Sequence, residues 1–150
     1  MLKYKWSKKV FLTPTDTTIG FISKSSYSLD KVKKRLSDKE YITALSSLQK
    51  LKLLTRVPFK YKNMVRRANK TTFIFPNKRS YRLIKNVKHK NLIDKLDSPF
   101  TTSANLSGKE YQRVFAEESS DIIISFPISD RSHRASHIFK ISSRNIKRIR

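Results

Sequence analysis

The chain of 150 residues is strongly basic, with 34 Lys and Arg against 11 Asp and Glu and a formal net charge of +23 at pH 7. A chain of this length buries roughly 68–70% of the surface that its unfolded form exposes, so we expect one domain, residues 1–150, with a real hydrophobic core. The absence of cysteine excludes disulfides, thiolate catalysis and cysteine-based zinc sites. No apolar run approaches the ~20 residues that span a bilayer, and the amino-terminal segment MLKYKWSKKVFL lacks the features of a signal peptide. We therefore expect a cytoplasmic protein with no membrane segment.

The positive charge is spread along the whole sequence instead of being collected in a tail. Such a surface attracts polyanions, which include nucleic acid, phosphorylated small molecules and anionic membranes. A lysine-rich background composition with no dedicated partner explains the same charge equally simply.

The first half of the chain alternates short strands with helices. Strands are predicted at residues 10–12 and 18–22, on either side of the turn-forming sequence Pro14-Thr15-Asp16. A helix is predicted at residues 29–36, because the Ser28 hydroxyl can accept hydrogen bonds from the free amides of a first turn. A strand at residues 41–44 and a helix at residues 47–54 follow.

The second half continues this alternation. The β-branched and aromatic run TTFIF predicts a strand at residues 71–75, with a neighbour at residues 81–84. Further strands are predicted at residues 100–103, 121–125 (a buried strand), 137–141 and 146–149, and helices at residues 91–96 and 111–118. Interleaved strands and helices of this kind predict an α+β fold of three layers, in which helices flank a twisted mixed sheet.

The segment TTSANLSGKE places hydroxyls, an amide and free backbone N–H groups at the end of a predicted strand. Ser107-Gly108 marks a turn before the next helix. Such a place suits phosphate or carboxylate oxygens. An ordinary polar turn that only caps a helix accounts for the same residues.

The segment KKRLSDK ends a predicted helix with closely spaced cations. A turn after the helix would aim Lys33, Arg35 and Lys39 at one point, where they would grip a triphosphate. The alternative is a solvated helix end whose cations complement the helix dipole.

The segment LTPTDTTIGF combines a hydrophobic strand, a proline turn and a run of hydroxyls before Gly20. Hydroxyls on a turn can form hydrogen bonds to a small polar substrate, or they can simply stabilise the turn.

Taken in order, PTDTTIGF, KKRLSDK and TTSANLSG resemble the three sequence hallmarks of the YrdC-type threonylcarbamoyl-AMP synthase family. Between the second and third hallmarks, ANKTTFIFP and the Arg82 of SYRLI are similar to further family segments, and ASHIFKISSRNIKR is similar to the terminal one. The resemblance extends from Leu12 over nearly the whole remaining chain.

The resemblance implies a reaction and a set of partners. Family members condense L-threonine, bicarbonate and ATP into threonylcarbamoyl-AMP and pyrophosphate, for the modification of the adenosine beside the anticodon of certain tRNAs. ATP arrives as a substrate with Mg²⁺, and no residue is assigned as a metal ligand. The resemblance also implies a YrdC-like fold, binding of tRNA or double-stranded RNA, and tRNA-modifying proteins as partners.

The resemblance further implies a set of site residues. The catalytic cations are Lys33 and Arg35. Residues implied to bind ATP are Arg35, Lys39, Thr72, Ser103, Asn105 and Arg148. Residues implied to contact threonine or its carbamate are Thr17, Thr101 and Ser136.

Two other functions are consistent with the sequence. The loops depart from the family pattern, with Leu36 in place of a proline after K-x-R and Asn69-Lys70 in place of Gly-Pro before Thr72. A YrdC-like RNA-binding module with weak or lost synthase activity is therefore one alternative. A generic basic protein of the ribosome or nucleoid is the other, although charge alone does not require SANLSG or K-x-R-x-x-x-K.

Overall fold

Nine strands of the described residues form one mixed sheet. The structure is a computed structural model and describes residues 5–36, 39–125 and 134–150, so two positions of KKRLSDK, 37 and 38, lie outside the described residues. The strands are β1 (Phe11–Pro14), β2 (Ile19–Ser23), β3 (Ile42–Leu45), β4 (Thr71–Ile74), β5 (Ser80–Leu83), β6 (Phe100–Ser103), β7 (Ile122–Ile123), β8 (His137–Ile141) and β9 (Ile146–Arg148). Their order in the sheet is β7-β1-β2-β6-β3-β5-β4-β8-β9.

The sheet combines parallel and antiparallel pairs. The pairs β1–β7, β3–β5 and β4–β8 are parallel, and the pairs β1–β2, β2–β6, β3–β6, β4–β5 and β8–β9 are antiparallel. The predicted α+β fold with a twisted mixed sheet is confirmed.

Five helices accompany the sheet in the described part of the chain. They are α1 (Ser26–Lys33), α2 (Leu48–Leu54), α3 (Lys62–Arg67), α4 (Val87–Leu96) and α5 (Arg113–Ser119), with a short 3₁₀ turn at Phe59–Tyr61. Among residues 5–36, 39–125 and 134–150, none of these helices has the length and apolar character that crossing a bilayer requires.

Side chains of successive strand residues point to opposite faces of the sheet and build a core on each face. On one face, Phe11, Ile22 and Ala44 pack with residues of α4. On the other face, Leu12 and Phe21 pack with residues of α1 and α5, and Leu45 belongs to a cluster with residues of α2 and α3. Since α4 is the one described helix that joins the first core, much of that face is left for a site.

Two helices begin earlier than the sequence predicts. The side chain of Ser25, not that of Ser28, caps α1 by accepting from the Ser28 amide at 3.2 Å, and the helix ends at Lys34 in the left-handed region (φ 48°). Asn86 caps α4 by accepting from the His89 amide at 3.1 Å, so that helix begins at Val87 instead of residue 91. Serine and asparagine side chains compete for the cap position, and several of them occur near each start.

The prediction of a buried strand at residues 121–125 is wrong. The strand β7 covers Ile122–Ile123 alone and pairs with β1 at the edge of the sheet, where Ile123 is 56% exposed. The apolar run DIIIS indicates burial, but among the described strands β7 has a neighbour on one side only.

Candidate functional site

A polar hollow of about 320 Å³ lies at the sheet, on the face that α4 partly covers. The strand register places Thr101 beside Ile22, and Arg82 beside Ala44. Ile22 and Ala44 both belong to the core that includes residues of α4. The described residues that line the hollow are mostly hydroxyl-bearing or cationic: Thr15, Thr17, Thr18, Gly20, Arg35, Glu40, Tyr41, Ile42, Arg82, Thr101, Thr102, Ser103, Ala135, Ser136, Ile138 and Arg150.

The buried guanidinium of Arg82 organises the floor of the polar hollow. Its Nε donates to Thr72 Oγ1 at 3.0 Å and its Nη2 donates to Ser136 Oγ at 2.8 Å. Its Nη1 lies 3.3 Å from both Asp16 Oδ1 and Thr17 Oγ1. Burial lowers the pKa of Arg82, and the nearby Asp16 carboxylate opposes that shift. The network therefore fixes one cation and three hydroxyls in a single arrangement.

A second guanidinium reaches Ser136 from the end of the described chain. Arg150 Nε donates to the Ser136 carbonyl at 3.0 Å, and its Nη2 lies 3.3 Å from Ser136 Oγ. Ser136 thus lies between two arginines that both line the hollow. An anion entering here meets two fixed positive charges.

A third arginine, Arg35, follows α1 and is held by Tyr41. Its Nε donates to Tyr41 Oη at 3.0 Å, and its guanidinium carbon lies 4.1 Å from the centre of the tyrosine ring. Tyr41 in turn donates to Asp30 Oδ1 at 2.7 Å. Burial, reinforced by the hydrogen bond to Asp30, raises the pKa of Tyr41 to about 12. The ring therefore stays neutral and keeps Arg35 facing the hollow.

The turn between β1 and β2 supplies the hydroxyls on one side. Thr15 Oγ1 accepts from the amides of Thr17 and Thr18, both at 3.2 Å, and its own amide donates to the Thr18 carbonyl at 3.1 Å. Gly20 allows this turn to approach β6, because a Cβ there would lie 2.9 Å from Thr15 Cγ2 and 3.0 Å from the Thr102 carbonyl. The Thr15 hydroxyl thus stabilises the turn, and Thr15, Thr17 and Thr18 all line the hollow.

The SANLSG segment forms a loop around the ammonium of Lys33. Lys33 Nζ donates to the carbonyls of Ser103 (2.9 Å) and Asn105 (2.7 Å) and to Asn105 Oδ1 (3.3 Å). The side-chain nitrogen Nδ2 of Asn105 donates to the carbonyls of Leu106 and Lys109, which closes the predicted turn at Gly108 (φ 75°). Burial, with a smaller contribution from Arg35, lowers the pKa of Lys33 to about 8. Lys33 therefore holds the loop that presents Ser103 to the hollow.

The polar hollow brings together five of the residues predicted from the sequence, Thr17, Arg35, Thr101, Ser103 and Ser136. Three others do not line the hollow but contact residues that do or the loop that carries one of them. Thr72 accepts a hydrogen bond from Arg82, Lys33 donates to the Ser103 carbonyl, and Asn105 accepts from Lys33 in the same loop. Two lie apart: Lys39 lines a neighbouring cavity of about 370 Å³, and the exposed Arg148 contacts His137 Nδ1 at 3.2 Å. Lys33, Arg35 and Lys39 of KKRLSDK therefore do not line one cavity.

Sequence reasoning missed Arg82, Arg150 and Asp16 as site residues. A signal for Arg82 was present, because arginine in an otherwise apolar strand is buried only when it is paired. Its partner Asp16 lies 66 residues away in sequence. The sequence carries no comparable signal for Arg150.

His89 lies behind the site and is almost fully buried, with 1% of its surface exposed. Neither of its ring nitrogens has a hydrogen-bond partner among the described residues, and the same is true of Asp16 Oδ2. Burial lowers the pKa of His89 to about 4, although the Asp16 carboxylate opposes the shift. His89 is therefore neutral at pH 7.

Acidification is expected to destabilise the protein through His89. Between pH 6.5 and about pH 4 the unfolded chain binds a proton at this position and the folded chain does not, so the free energy of unfolding falls by up to about 3 kcal/mol. Urea unfolding at pH 7 and pH 4.5 measures this, and His89→Leu should lose that part of the dependence. The exposed His137→Gln is the control and should keep it. An equal pH dependence in wild type and His89→Leu would contradict the assignment.

No protein-family model matches the chain. An uncharacterized protein of Mycoplasma genitalium is 35% identical over 97 residues, which are 64% of this chain and 20% of that protein. The solved structure of P. abyssi Sua5 complexed with L-threonine superimposes with a TM-score of 0.79 at 17% identity, over 99% of this chain and 53% of that one. E. coli YciO superimposes with a TM-score of 0.73 at 15% identity, over 99% and 87% of the two chains.

These similarities define a YrdC-like fold. The chain spans about half the length of the Sua5 structure and a fifth of the length of the M. genitalium protein.

Proposed function

We propose that the protein is an L-threonylcarbamoyladenylate synthase, which converts L-threonine, bicarbonate and ATP into threonylcarbamoyl-AMP and pyrophosphate. The observation that carries the proposal is the convergence of Arg35, Arg82 and Arg150 with hydroxyl side chains in one hollow of a YrdC-like fold. The L-threonine complex of the Sua5 structure, which shares this fold, supports threonine as the amino acid.

The reaction has electrostatic requirements that this hollow meets. The amine of threonine and bicarbonate yield a carbamate and water, and a carbamate oxygen attacks the α-phosphorus of ATP as the bond to pyrophosphate breaks. Two anions must be brought together, so fixed cations and hydrogen-bond donors matter more than a proton-transferring base. Guanidinium groups are well suited, since each offers several donors in a rigid plane.

The proposed roles divide the site into two parts. Thr17, Thr101 and Ser136 contact threonine or its carbamate, close to the Arg82 guanidinium that orients two of them. The nucleotide is assigned to Arg35, Thr72, Ser103 and Asn105, and it reaches Lys39 where it extends into the neighbouring cavity. Arg148 lies apart from this group. Arg35 is proposed as the catalytic cation, and Lys33 is proposed to position the loop that carries Ser103.

Magnesium enters this proposal with the nucleotide. Among the described residues, no group of three or more His, Asp or Glu side chains is close enough to hold a metal ion. Among the described residues that line the hollow, Glu40 is the one acidic side chain, and it lies beside three arginines. An ion that accompanies ATP is thus held mainly by the phosphates of ATP. The product then serves tRNA modification in the cytoplasm, together with tRNA-modifying partner proteins.

A second candidate is a YrdC-like RNA-binding module with weak or lost synthase activity. One observation favours it: the ammonium of Lys33 is directed at three loop oxygens, and Lys39 lines a separate cavity. Two of the three cations assigned to ATP phosphates are thus placed away from the hollow. The net charge of +23 is consistent with RNA binding.

The two candidates differ in the chemistry that purified protein performs. We expect pyrophosphate release from ATP-Mg²⁺ that depends on both threonine and bicarbonate. The Ser103 hydroxyl lines the hollow and donates to Asn105 Oδ1, from which it must turn to donate to developing charge. Ser103→Ala removes this donor and should reduce the rate about 10²-fold. The control Ser107→Ala, in the same loop but outside the lining of the hollow, should be within twofold of wild type. Absence of threonine-dependent release, together with salt-sensitive binding of duplex RNA, would overturn the synthase proposal and favour the module.

A further inference from the structure

A second site is suggested by a cavity of about 370 Å³ that shares no residue with the polar hollow. It lies between α2 and the segment formed by the 3₁₀ turn and α3, and we call it the outer cleft. Its lining consists of Leu48, Phe59, Lys60, Lys62, Asn63 and Arg66. Its volume is within the range of ligand-binding clefts.

The outer cleft is positively charged, and none of the described residues that line it is acidic. The sequence contains no Asp or Glu between Glu40 and Asp94. In the described part of the chain, the three cations of the cleft form no ion pair: Lys60 lies 5.5 Å from the ring centre of Tyr61, and Arg66 donates to Asn63 Oδ1 at 3.3 Å. The cleft is therefore ready to receive an anion.

Two lysines at the edge of the cleft repel each other. The contact with Lys62 of the cleft, together with the charge of Lys62, lowers the pKa of Lys52 of α2. Like charges so close together are unfavourable in the absence of an anion. A phosphate between the two lysines would remove the repulsion.

An aromatic ring stands free beside these cations. Phe59 is 91% exposed, although phenylalanine is among the residues most often buried. The neighbouring Tyr61 and Val65 fill the core beneath, so Phe59 is not needed there. An exposed ring next to lysines offers a flat surface on which a nucleobase can stack.

We propose that the outer cleft binds an unpaired segment of nucleic acid, with a base stacked on Phe59 and the adjoining phosphates held by Lys60, Lys62 and Arg66. The amide of Asn63 is placed to donate to the base or sugar. This site is separate from the polar hollow and does not depend on the synthase proposal.

Two features favour a polynucleotide strand over a free nucleotide or a duplex. Further cations occur in the same segments of the chain, at Lys52 of α2, at Arg56 after it and at Arg67, the last residue of α3, and these can bind further phosphates of one strand. A base stacked within a duplex cannot lie against Phe59, because its faces are already covered by neighbouring bases. Single strands of RNA and DNA share the required chemistry, and we expect both to bind.

The test is fluorescence anisotropy with a labelled 12-nucleotide oligouridylate, and with the matching oligothymidylate, in the absence of ATP and threonine. Phe59→Ala should weaken binding of both on the order of tenfold, the effect of losing one stacked base. Its slope of log Kd against log salt should not change. Lys62→Ala should also weaken binding and should reduce that slope by about 0.7, as expected for one phosphate contact with a single strand.

The matched control is Tyr27→Ala, which removes another exposed aromatic ring with a lysine beside it, Lys31 at 5.2 Å, on α1. This variant should bind within twofold of wild type.

An equal loss for Tyr27→Ala and Phe59→Ala, or a preference of the wild type for duplex over single strands, would overturn the proposal. So would binding to anionic phospholipid vesicles that Phe59→Ala abolishes while oligonucleotide binding is unchanged. Because Phe59 is exposed, the melting temperature of its variant should match that of wild type.

Discussion

Arg82→Ala is expected to lower the free energy of unfolding by about 3–5 kcal/mol, the typical cost of removing one member of a buried ion pair. The substitution leaves the Asp16 carboxylate buried without its cation, and it leaves Thr72 and Ser136 without their shared donor. Urea unfolding at pH 7 measures the effect. Arg79→Ala is the control, since Arg79 is exposed just before β5 and should change stability by less than about 0.5 kcal/mol.

A double substitution separates the structural role of Arg82 from its role in the site. Arg82→Met combined with Asp16→Asn removes both charges and should recover part of the lost stability, because no uncompensated charge stays buried. It should not restore threonine-dependent pyrophosphate release, since the guanidinium that orients Thr17 and Ser136 is still missing. A stable and fully active double variant would show that the hollow functions without this cation.

Arg35→Ala is expected to have the largest effect on activity, lowering the rate of threonine-dependent pyrophosphate release about 10²- to 10³-fold. Arg35 lines the hollow, and its guanidinium is oriented by Tyr41 and Asp30, so it is available to developing charge on the phosphates. Arg35→Lys should recover part of the rate, because lysine keeps the charge but not the planar set of donors. Calorimetric titration with ATP shows whether the loss lies in nucleotide binding.

The control for Arg35 is chosen from the same segment. Lys31→Ala removes an exposed cation from α1 one turn earlier and should leave the rate within twofold of wild type. Lys39→Ala tests whether the nucleotide extends from the hollow into the neighbouring cavity that Lys39 lines. An Arg35→Ala protein as active as the Lys31→Ala protein would remove the main support for phosphate binding in the hollow.

Much of the architecture follows from local sequence. The run TTFIF predicts β4, and the hydroxyl-rich end of β6 predicts both the strand at Phe100–Ser103 and the turn at Gly108. These features depend on residues that are neighbours in the chain, where β-branched side chains favour strands and glycine accepts positive φ. Helix starts were predicted less well, since several serines near α1 could cap it and the choice of Ser25 depends on packing.

The cations of KKRLSDK show where spacing ceases to be informative. Their separation along the chain predicts a common target, but α1 ends at Lys34 in a left-handed conformation. Lys33 therefore remains on the helix and bonds to the loop after β6, whereas Arg35 lines the hollow and Lys39 a different cavity. The direction of each side chain depends on backbone angles that the spacing does not encode.

The sequence by itself determined the class of fold, because strand propensity and turn chemistry act between neighbouring residues. The resemblance carried by its motifs also indicated four hydroxyl side chains that line the hollow, those of Thr17, Thr101, Ser103 and Ser136. Only the tertiary structure decided that Arg82, Asp16 and Arg150 belong to the same site, because strand register brings together residues that are far apart in the chain. It also decided which lysines are buried and which are available to anions, since burial of a charge depends on the surrounding atoms that can compensate it.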